Sequence, residues 1–205
     1  TPLPPSTLHS LSGATVIANL SASNEVIGKA RYRRNLVAMQ SAHNVGAYIY
    51  ANAGKDESTT DVVFSGHSMI AENGKILAES VPFECGVIIA DVDLELLAQE
   101  RRKNTSYADC MKKIASSDYQ IAYVSLFGTK NTTGFGSEIP EKNAPAEILR
   151  PIAPRPFVPS DKSARAVRCR EVIELQSEGL AKCLRHIKAK TAVLGLSGGL
   201  DSTLA

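Results

Sequence analysis

The residues best suited to chemistry form a glycine-rich turn near the end of the sequence. The turn reads Leu194-Gly195-Leu196-Ser197-Gly198-Gly199-Leu200-Asp201-Ser202-Thr203. The apolar run at residues 190–193 predicts a buried strand before the turn, and the residues after it predict the start of a helix. Glycine allows the backbone to approach a ligand closely, and serine hydroxyls together with the free N–H groups of a new helix can bind phosphate. The pattern favours a phosphate-binding loop over an ordinary turn in which glycines serve packing.

The loop differs from a Walker A sequence, because it has no Gly-Lys pair at the required spacing. It resembles the pyrophosphate loop of ATP pyrophosphatases, which adenylate a carboxylate or carbonyl oxygen and release pyrophosphate. The resemblance implies an ATP site made of Gly195, Leu196, Ser197, Gly198, Gly199, Leu200, Asp201 and Ser202. Asp201 has two possible roles, as a Mg²⁺ ligand or as the cap of the following helix, and the residue pattern alone slightly favours the cap.

A second group of polar residues follows the first predicted strand. Residues 14–20 are apolar on both faces, as expected for a strand inside a covered sheet. The strand leads into the polar tip 21–24, and ligand groups collect at such strand ends in α/β folds.

A helix is predicted at residues 29–45, directly after this tip. Its apolar face is expected to contain Tyr32, Leu36, Met39 and His43, which recur at helical spacing. We interpret Arg33 and Arg34 as solvated side chains and His43 as a packed or capping histidine.

Further elements are indicated along the chain. Strands are predicted at 47–52, 62–64, 68–72, 75–79 and 86–92, and Asn73-Gly74 indicates a two-residue hairpin turn. Helices are predicted at 94–103 and at 162–188, the second capped by Ser160-Asp161.

Composition limits the class of protein. The chain has 205 residues, 43% hydrophobic and 21% charged, with a net charge of +2. These values are ordinary for a globular protein, and they show no bias toward nucleic acid or membrane. Four cysteines without metal-ligand spacing, Cys85, Cys110, Cys169 and Cys183, fit a reducing cytoplasmic setting. The abrupt termini suggest a segment of a longer polypeptide.

The segment at 104–160 separates two parts of the chain. Six prolines lie between Pro140 and Pro159, and proline disfavours both helix interiors and central strands. We therefore expect a first domain at 1–103, an interdomain extension and linker at 104–160, and the start of a second domain at 161–205.

Several motifs, taken in order, resemble glutamine-dependent NAD synthetase. They lie at residues 2–6, 13–23, 28–29, 48–54, 57–61 and 155–159 and in the Ser-Gly-Gly-Leu-Asp-Ser loop. The resemblance implies an α/β protein: part of a nitrilase-like α-β-β-α sandwich, then a linker and the start of a Rossmann-like ATP pyrophosphatase domain. It also implies a ligase that makes NAD from deamido-NAD, with ATP, Mg²⁺ and glutamine-derived ammonia.

The resemblance assigns glutamine binding to two residues of the polar tip and helix start. Ser23 and Lys29 match glutamine-binding positions of the family, and a hydroxyl and a cation can hold the α-carboxylate of glutamine. Without the resemblance, Ser23 would be a helix cap and Lys29 a solvated lysine. In this family a cysteine forms a thioester with glutamine, assisted by a glutamate and a lysine. No cysteine of this chain matches that nucleophile, so no catalytic residue is assigned.

Three alternatives remain at this point. The chain could belong to a nitrilase-type amidase, to another N-type ATP pyrophosphatase, or be a catalytically inert fragment. Partners are expected to be small-molecule substrates, without nucleic acid or membrane, and a homo-oligomer is expected.

Overall fold

The computed structural model describes residues 2–57, 61–84, 86–114, 122–124, 148–152, 154–155, 158–159 and 161–204. The chain divides into two compact units, Thr1–Pro151 and Ile152–Ala205. The boundary between them falls inside the proline-rich segment.

The first unit is built on a mixed four-stranded sheet. Its elements in chain order are α1 (Pro5–Leu11), β1 (Val16–Ser21), α2 (Lys29–His43), β2 (Ala47–Asn52), β3 (Met69–Glu72), β4 (Lys75–Glu79), α3 (Leu94–Lys103) and α4 (Thr105–Met111). The strand order is β1-β2-β3-β4. β1 runs parallel to β2, and the other two pairs are antiparallel. The predicted strands at 62–64 and 86–92 are wrong, because the backbone at those positions pairs with no strand of the described chain.

The core lies between α2 and one face of the sheet. Val37 of α2 packs against the side chains that point toward it from β2 and β3, which are Tyr48, Tyr50, Met69 and Ala71. In β1, by contrast, the residues Val16, Ala18 and Leu20 of the opposite face are exposed. The prediction that this strand is covered on both faces is therefore wrong for the described part of the chain.

The buried face of α2 differs from the predicted one. Arg33, Val37 and Ser41 are buried, whereas the predicted apolar residues are exposed, with Tyr32 at 65%, Leu36 at 52% and Met39 at 71%. His43 is exposed as well. The polar members of the buried face are tolerated because they form internal hydrogen bonds, such as the one from Ser41 Oγ to the Gly46 carbonyl at 2.8 Å.

Arg101 of α3 joins the end of α2 to α1. Its guanidinium donates to the carbonyls of Val45 (2.9 Å), Ala14 (2.8 Å) and Asn44 (3.1 Å) and to Ser10 Oγ (2.9 Å). A planar fork with five donors suits such a set of carbonyls. One side chain thus fixes the layer of helices beside the sheet.

A buried ion pair holds residues 148–150 against β3. Arg150 binds Glu72 through both guanidinium nitrogens, with Nη1–Oε2 at 2.8 Å and Nη2–Oε1 at 2.7 Å. Asp93 N–H donates to the same carboxylate at 2.7 Å, and Asp91 accepts from the backbone of Leu149 and Arg150. The buried Glu72 is therefore compensated as a buried charge must be.

The second unit contains α5 (Lys162–His186) and α6 (Leu200–Leu204). Asp161 caps α5, as predicted, by accepting from Ala164 N–H at 2.7 Å. The predicted buried strand at 190–193 is wrong, since these residues are exposed and pair with no described strand. The start of a Rossmann-like sheet is accordingly not seen. No helix of the described segments has both the length and the apolar character that a membrane span requires.

Candidate functional site

A groove of about 750 Å³ opens between α1, β1 and α2. Its floor is formed by the sheet face that carries Tyr48 and Tyr50, and its rim includes His9, Asn19, Ser23, Lys29, Tyr32 and Gln40. Ser23 and Lys29, which the sequence singled out, therefore line one cavity. Tyr32 and Leu36, assigned to the core by the sequence, line this cavity instead.

Ser23 is held at the end of β1 by a residue at the end of β2. The amide of Asn52 accepts from Ser23 N–H at 2.9 Å and donates to the Ser23 carbonyl at 3.1 Å. This pairing is possible because β1 and β2 are parallel, so that Ser21 and Asn52 are in register. The backbone of Ser23 is thereby fixed at the edge of the groove that this residue lines. Asn52 had no predicted role at the site.

Lys29 is the first residue of α2, and its ammonium has no acidic partner among the described residues. Lys29 Nζ donates to the neutral Asn24 Oδ1 at 2.6 Å. The helix begins after Gly28 at a φ of 83°, with no side-chain cap and no acidic residue in its first turn. A helix N-terminus carries a partial positive charge, and an ammonium has three donors. Positive potential and free donors therefore coincide at this end of the groove.

Below Lys29, charged side chains form a buried network. Arg33 donates through Nη1 and Nη2 to Glu25 Oε2, both at 3.0 Å, and Ser65 Oγ donates to the same oxygen at 2.6 Å. Arg33 also contacts His67 Nδ1 at 3.0 Å. The interpretation of Arg33 as a solvated residue is wrong, because its side chain is only 4% exposed. A buried arginine remains charged, so it requires these partners.

The network continues to β4. His67 Nε2 lies 2.9 Å from Glu79 Oε1, and Arg34 Nε donates to Glu79 Oε2 at 2.8 Å. Burial by itself raises the pKa of Glu25, but hydrogen bonds from Ser65 and Arg33 and the charge of Arg33 outweigh it and leave that pKa lowered. The pKa of Glu79 is lowered in the same way: burial raises it, and the hydrogen bonds from Arg34 and His67 prevail.

The glycine-rich loop lies in the second unit. Ser197 Oγ and Ser202 Oγ are 3.1 Å apart, and Ser202 Oγ donates to the Gly199 carbonyl at 3.0 Å. Gly198 has a φ of 79°, as the turn requires. The structure therefore brings the two serines together, but their hydroxyls bond within the loop. Asp201 is the second residue of the five-residue α6, so it is not the cap that the pattern favoured.

A family model matches part of the first unit. Residues 5–102 match the model of carbon-nitrogen hydrolases. Ser23, Lys29 and the charged network lie inside this matched range, as do all the residues that line the groove except Pro4.

The whole chain is similar to glutamine-dependent NAD synthetases. The enzyme of Mycobacterium leprae is 41% identical over 206 residues, and that of Mycobacterium tuberculosis 40% over 206 residues. Each alignment covers 100% of this chain and 29% of the relative, so the chain spans less than a third of these proteins. A solved synthetase from Cytophaga hutchinsonii is 34% identical over 35% of this chain and 12% of that chain, with a TM-score of 0.33. The resemblance inferred from the motifs is thus confirmed.

No thiol of the described chain lies in the groove. Cys110, Cys169 and Cys183 are free and exposed, and none of them lines the cavity. Cys85 and residues 58–60 of the motif at 57–61 lie outside the described residues. Among the residues that the structure describes, no three His, Cys, Asp or Glu side chains are grouped as a metal site would need.

Proposed function

We propose that the groove binds glutamine and that the chain is a segment of a glutamine-dependent NAD synthetase. Ser23 and Lys29 lie together on the rim of one groove, and this observation carries the proposal. The sequence resemblance had assigned both residues to glutamine, and both line this groove. The 40% identity over the whole chain supports the assignment.

The chemistry of the rim fits an amino-acid carboxylate. Lys29 lacks an ion-pair partner in the described chain, and α2 begins without a capping side chain. An anion placed there is favoured by the ammonium and by the free N–H groups of the first turn. The α-carboxylate of glutamine would satisfy both, with the Ser23 hydroxyl as a further donor, and its side-chain amide would extend along the groove.

In this proposal the groove binds the amide donor, and the attacking thiol is not one of the three described cysteines. The resemblance implies a thioester with the γ-carbonyl of glutamine and release of ammonia. The released ammonia would react with adenylated deamido-NAD to give NAD and AMP. The role of this chain's residues is to bind the α-carboxylate and aim the amide.

We extend the proposal to the fold. One sheet face is covered by α2, while Val16 and Leu20 of β1 are exposed on the other, at 40% and 87%. A second sheet packed on this apolar row would complete an α-β-β-α sandwich. The glycine-rich loop would begin the ATP pyrophosphatase domain and bind ATP through residues 195–202.

The loop offers Mg²⁺ a single carboxylate, which is enough for an ion that is also bound by substrate phosphates. Asp201 is the one acidic side chain of residues 194–204. Mg²⁺ is commonly held by one or two carboxylates together with substrate phosphates, so Asp201 would hold the ion and the ATP oxygens would complete its shell. The ion would neutralise charge on the phosphates. A homo-oligomer in the cytoplasm is part of the same proposal.

Lys29→Ala tests the proposal in the complete protein that contains this chain. We expect KM for glutamine to rise about ten- to a hundredfold, since a hydrogen bond to a charged group is worth roughly 1.5–3 kcal/mol. Synthesis from added ammonia should change little. Lys75→Ala, which removes an exposed lysine from the hairpin, is the matched control.

Two results would contradict the proposal. Equal loss of the glutamine- and ammonia-dependent activities would make Lys29 a structural residue. Glutamine hydrolysis without any ATP-dependent synthesis would favour the nitrilase-type amidase.

A further inference from the structure

The glutamine site proposed above depends on a loop without regular structure, residues 22–28. Asn52 fixes this loop at Ser23. At Glu25 the loop is fixed a second time, through the backbone, where Glu25 N–H donates to the Val63 carbonyl at 2.6 Å. The Glu25 side chain turns inward and is 13% exposed. Glu25 lies between Ser23 and Lys29 in sequence, so its anchor controls how the two binding residues face one another.

Arg33 is that anchor. It lies one helical turn after Lys29, on the same face of α2. Its two terminal nitrogens hold Glu25 Oε2, which draws the loop onto the helix. Arg33 also borders the groove, but its donors face inward to Glu25 and His67, and its Nε has no partner within the described residues. The hydrogen bonds of Arg33 therefore hold the loop at residues 22–28 in place.

His67 fixes the position of Arg33 in turn. Arginine has no acceptor, so His67 Nδ1 must accept from Arg33 Nη1, and the ring proton must lie on Nε2, where it donates to Glu79 Oε1. The carboxylates of Glu25 and Glu79 are paired with the guanidinium groups of Arg33 and Arg34.

We propose that Arg33 and His67 are positioning residues for glutamine, which act through Glu25 to hold Ser23 and Lys29 in binding geometry. This inference rests on the proposed function of the groove. Neither residue needs to touch glutamine. The geometry assigns them a role in orientation, with Glu25 as the intermediate.

Substitutions at His67 separate positioning from folding. In the complete protein, His67→Phe should raise KM for glutamine about tenfold or more, as expected for lost hydrogen bonds to a charged group, and leave ammonia-dependent kcat unchanged. His67→Gln should restore a KM near the wild-type value, because its carbonyl can accept from Arg33 and its amide can donate to Glu79.

Arg33→Lys and Arg102→Met complete the set. Lysine keeps the charge but cannot bridge Glu25 and His67, so Arg33→Lys should resemble His67→Phe. Arg102 is exposed on α3, so Arg102→Met should leave both activities at the wild-type level.

Lys29→Ala, measured in the same assays, separates a failure of the proposed glutamine site from a failure of the positioning role. If Lys29→Ala leaves KM for glutamine unchanged, the proposed function of the groove is overturned. If Lys29→Ala raises KM and neither His67→Phe nor Arg33→Lys does, the groove stands and the positioning role is overturned. A His67→Gln variant as impaired as His67→Phe also overturns it. Should His67→Phe fail to fold, Arg33→Lys decides, because a wild-type KM for glutamine in that variant overturns the positioning role.

Discussion

At the scale of single residues, the groove is defined by partners that are distant in sequence. Ser23 owes its position to Asn52, and Glu25 owes its position to Arg33 and Ser65. Lys29 is a different case, since it meets only the neutral Asn24. The residues proposed to bind glutamine thus lie beside residues whose hydrogen bonds are formed within the chain.

Glu25 gives a pH prediction for stability. Its pKa in the folded chain is lowered from 4.5, so the unfolded chain binds the proton more tightly. The stability that Glu25 contributes is complete above the unfolded pKa and is lost as pH falls through the lower, folded value. Urea denaturation of the 205-residue chain between pH 3 and 7 should therefore show a smaller acid-induced loss for Glu25→Gln than for the wild type.

The control for this measurement is Glu84→Gln, which changes an exposed carboxyl. Its pH profile should follow that of the wild type. A Glu25→Gln profile that is parallel to the wild type would show that the Arg33 contact adds no pH-dependent stability.

At the scale of elements, the hairpin between β3 and β4 is the most strongly specified feature. Asn73 and Gly74 both have positive φ, 43° and 88°, as a type I′ turn requires. Gly74 also lies against α2, because a Cβ atom there would be 3.1 Å from the Ala42 Cβ. The hairpin turn therefore carries both a backbone and a packing constraint.

Gly74→Ala should lower the free energy of unfolding of the chain by about 1–2 kcal/mol, the usual penalty of a left-handed conformation for a residue with Cβ. Urea denaturation measures the change. Gly86→Ala is the matched control, since its Cβ would meet nothing within 4 Å and its φ is not in the positive region. Equal effects of the two substitutions would contradict the hairpin constraint.

At the scale of the whole molecule, the two units differ in how complete their predicted sites are. The first unit forms a groove with shaped walls. The second presents the glycine-rich loop before an α6 of five residues, and its serine hydroxyls bond to one another and to Gly199. A helix this short supplies only a small dipole and few free N–H groups.

We therefore expect the 205-residue chain alone to bind Mg²⁺-ATP weakly or not at all. Titration calorimetry tests this expectation. Micromolar ATP affinity would show that the loop is preformed without a long helix. In the complete protein, Gly199→Val should abolish synthesis but spare glutamine hydrolysis.

Local patterns predicted the elements whose causes are local. Asn73-Gly74 indicated the hairpin, and Asp161 indicated the start of α5. In each case a few neighbouring residues decide the backbone conformation. The family resemblance then placed Ser23 and Lys29 at one ligand, and the structure has them lining one groove.

Tertiary packing decided which faces are buried. The helical period of Tyr32, Leu36 and Met39 indicated a core face, yet α2 buries Arg33, Val37 and Ser41. The spacing of apolar residues shows which helix face is hydrophobic. Which face is buried also depends on whether its polar side chains can form hydrogen bonds inside the protein. Arg33 is buried because it donates hydrogen bonds to Glu25 and contacts His67. Residues 190–193 are not a strand, since they pair with no described strand. Local sequence determined the hairpin turn and the starts of α2 and α5. Long-range contacts determined the charged network beneath the groove, because its members come from four separate parts of the chain.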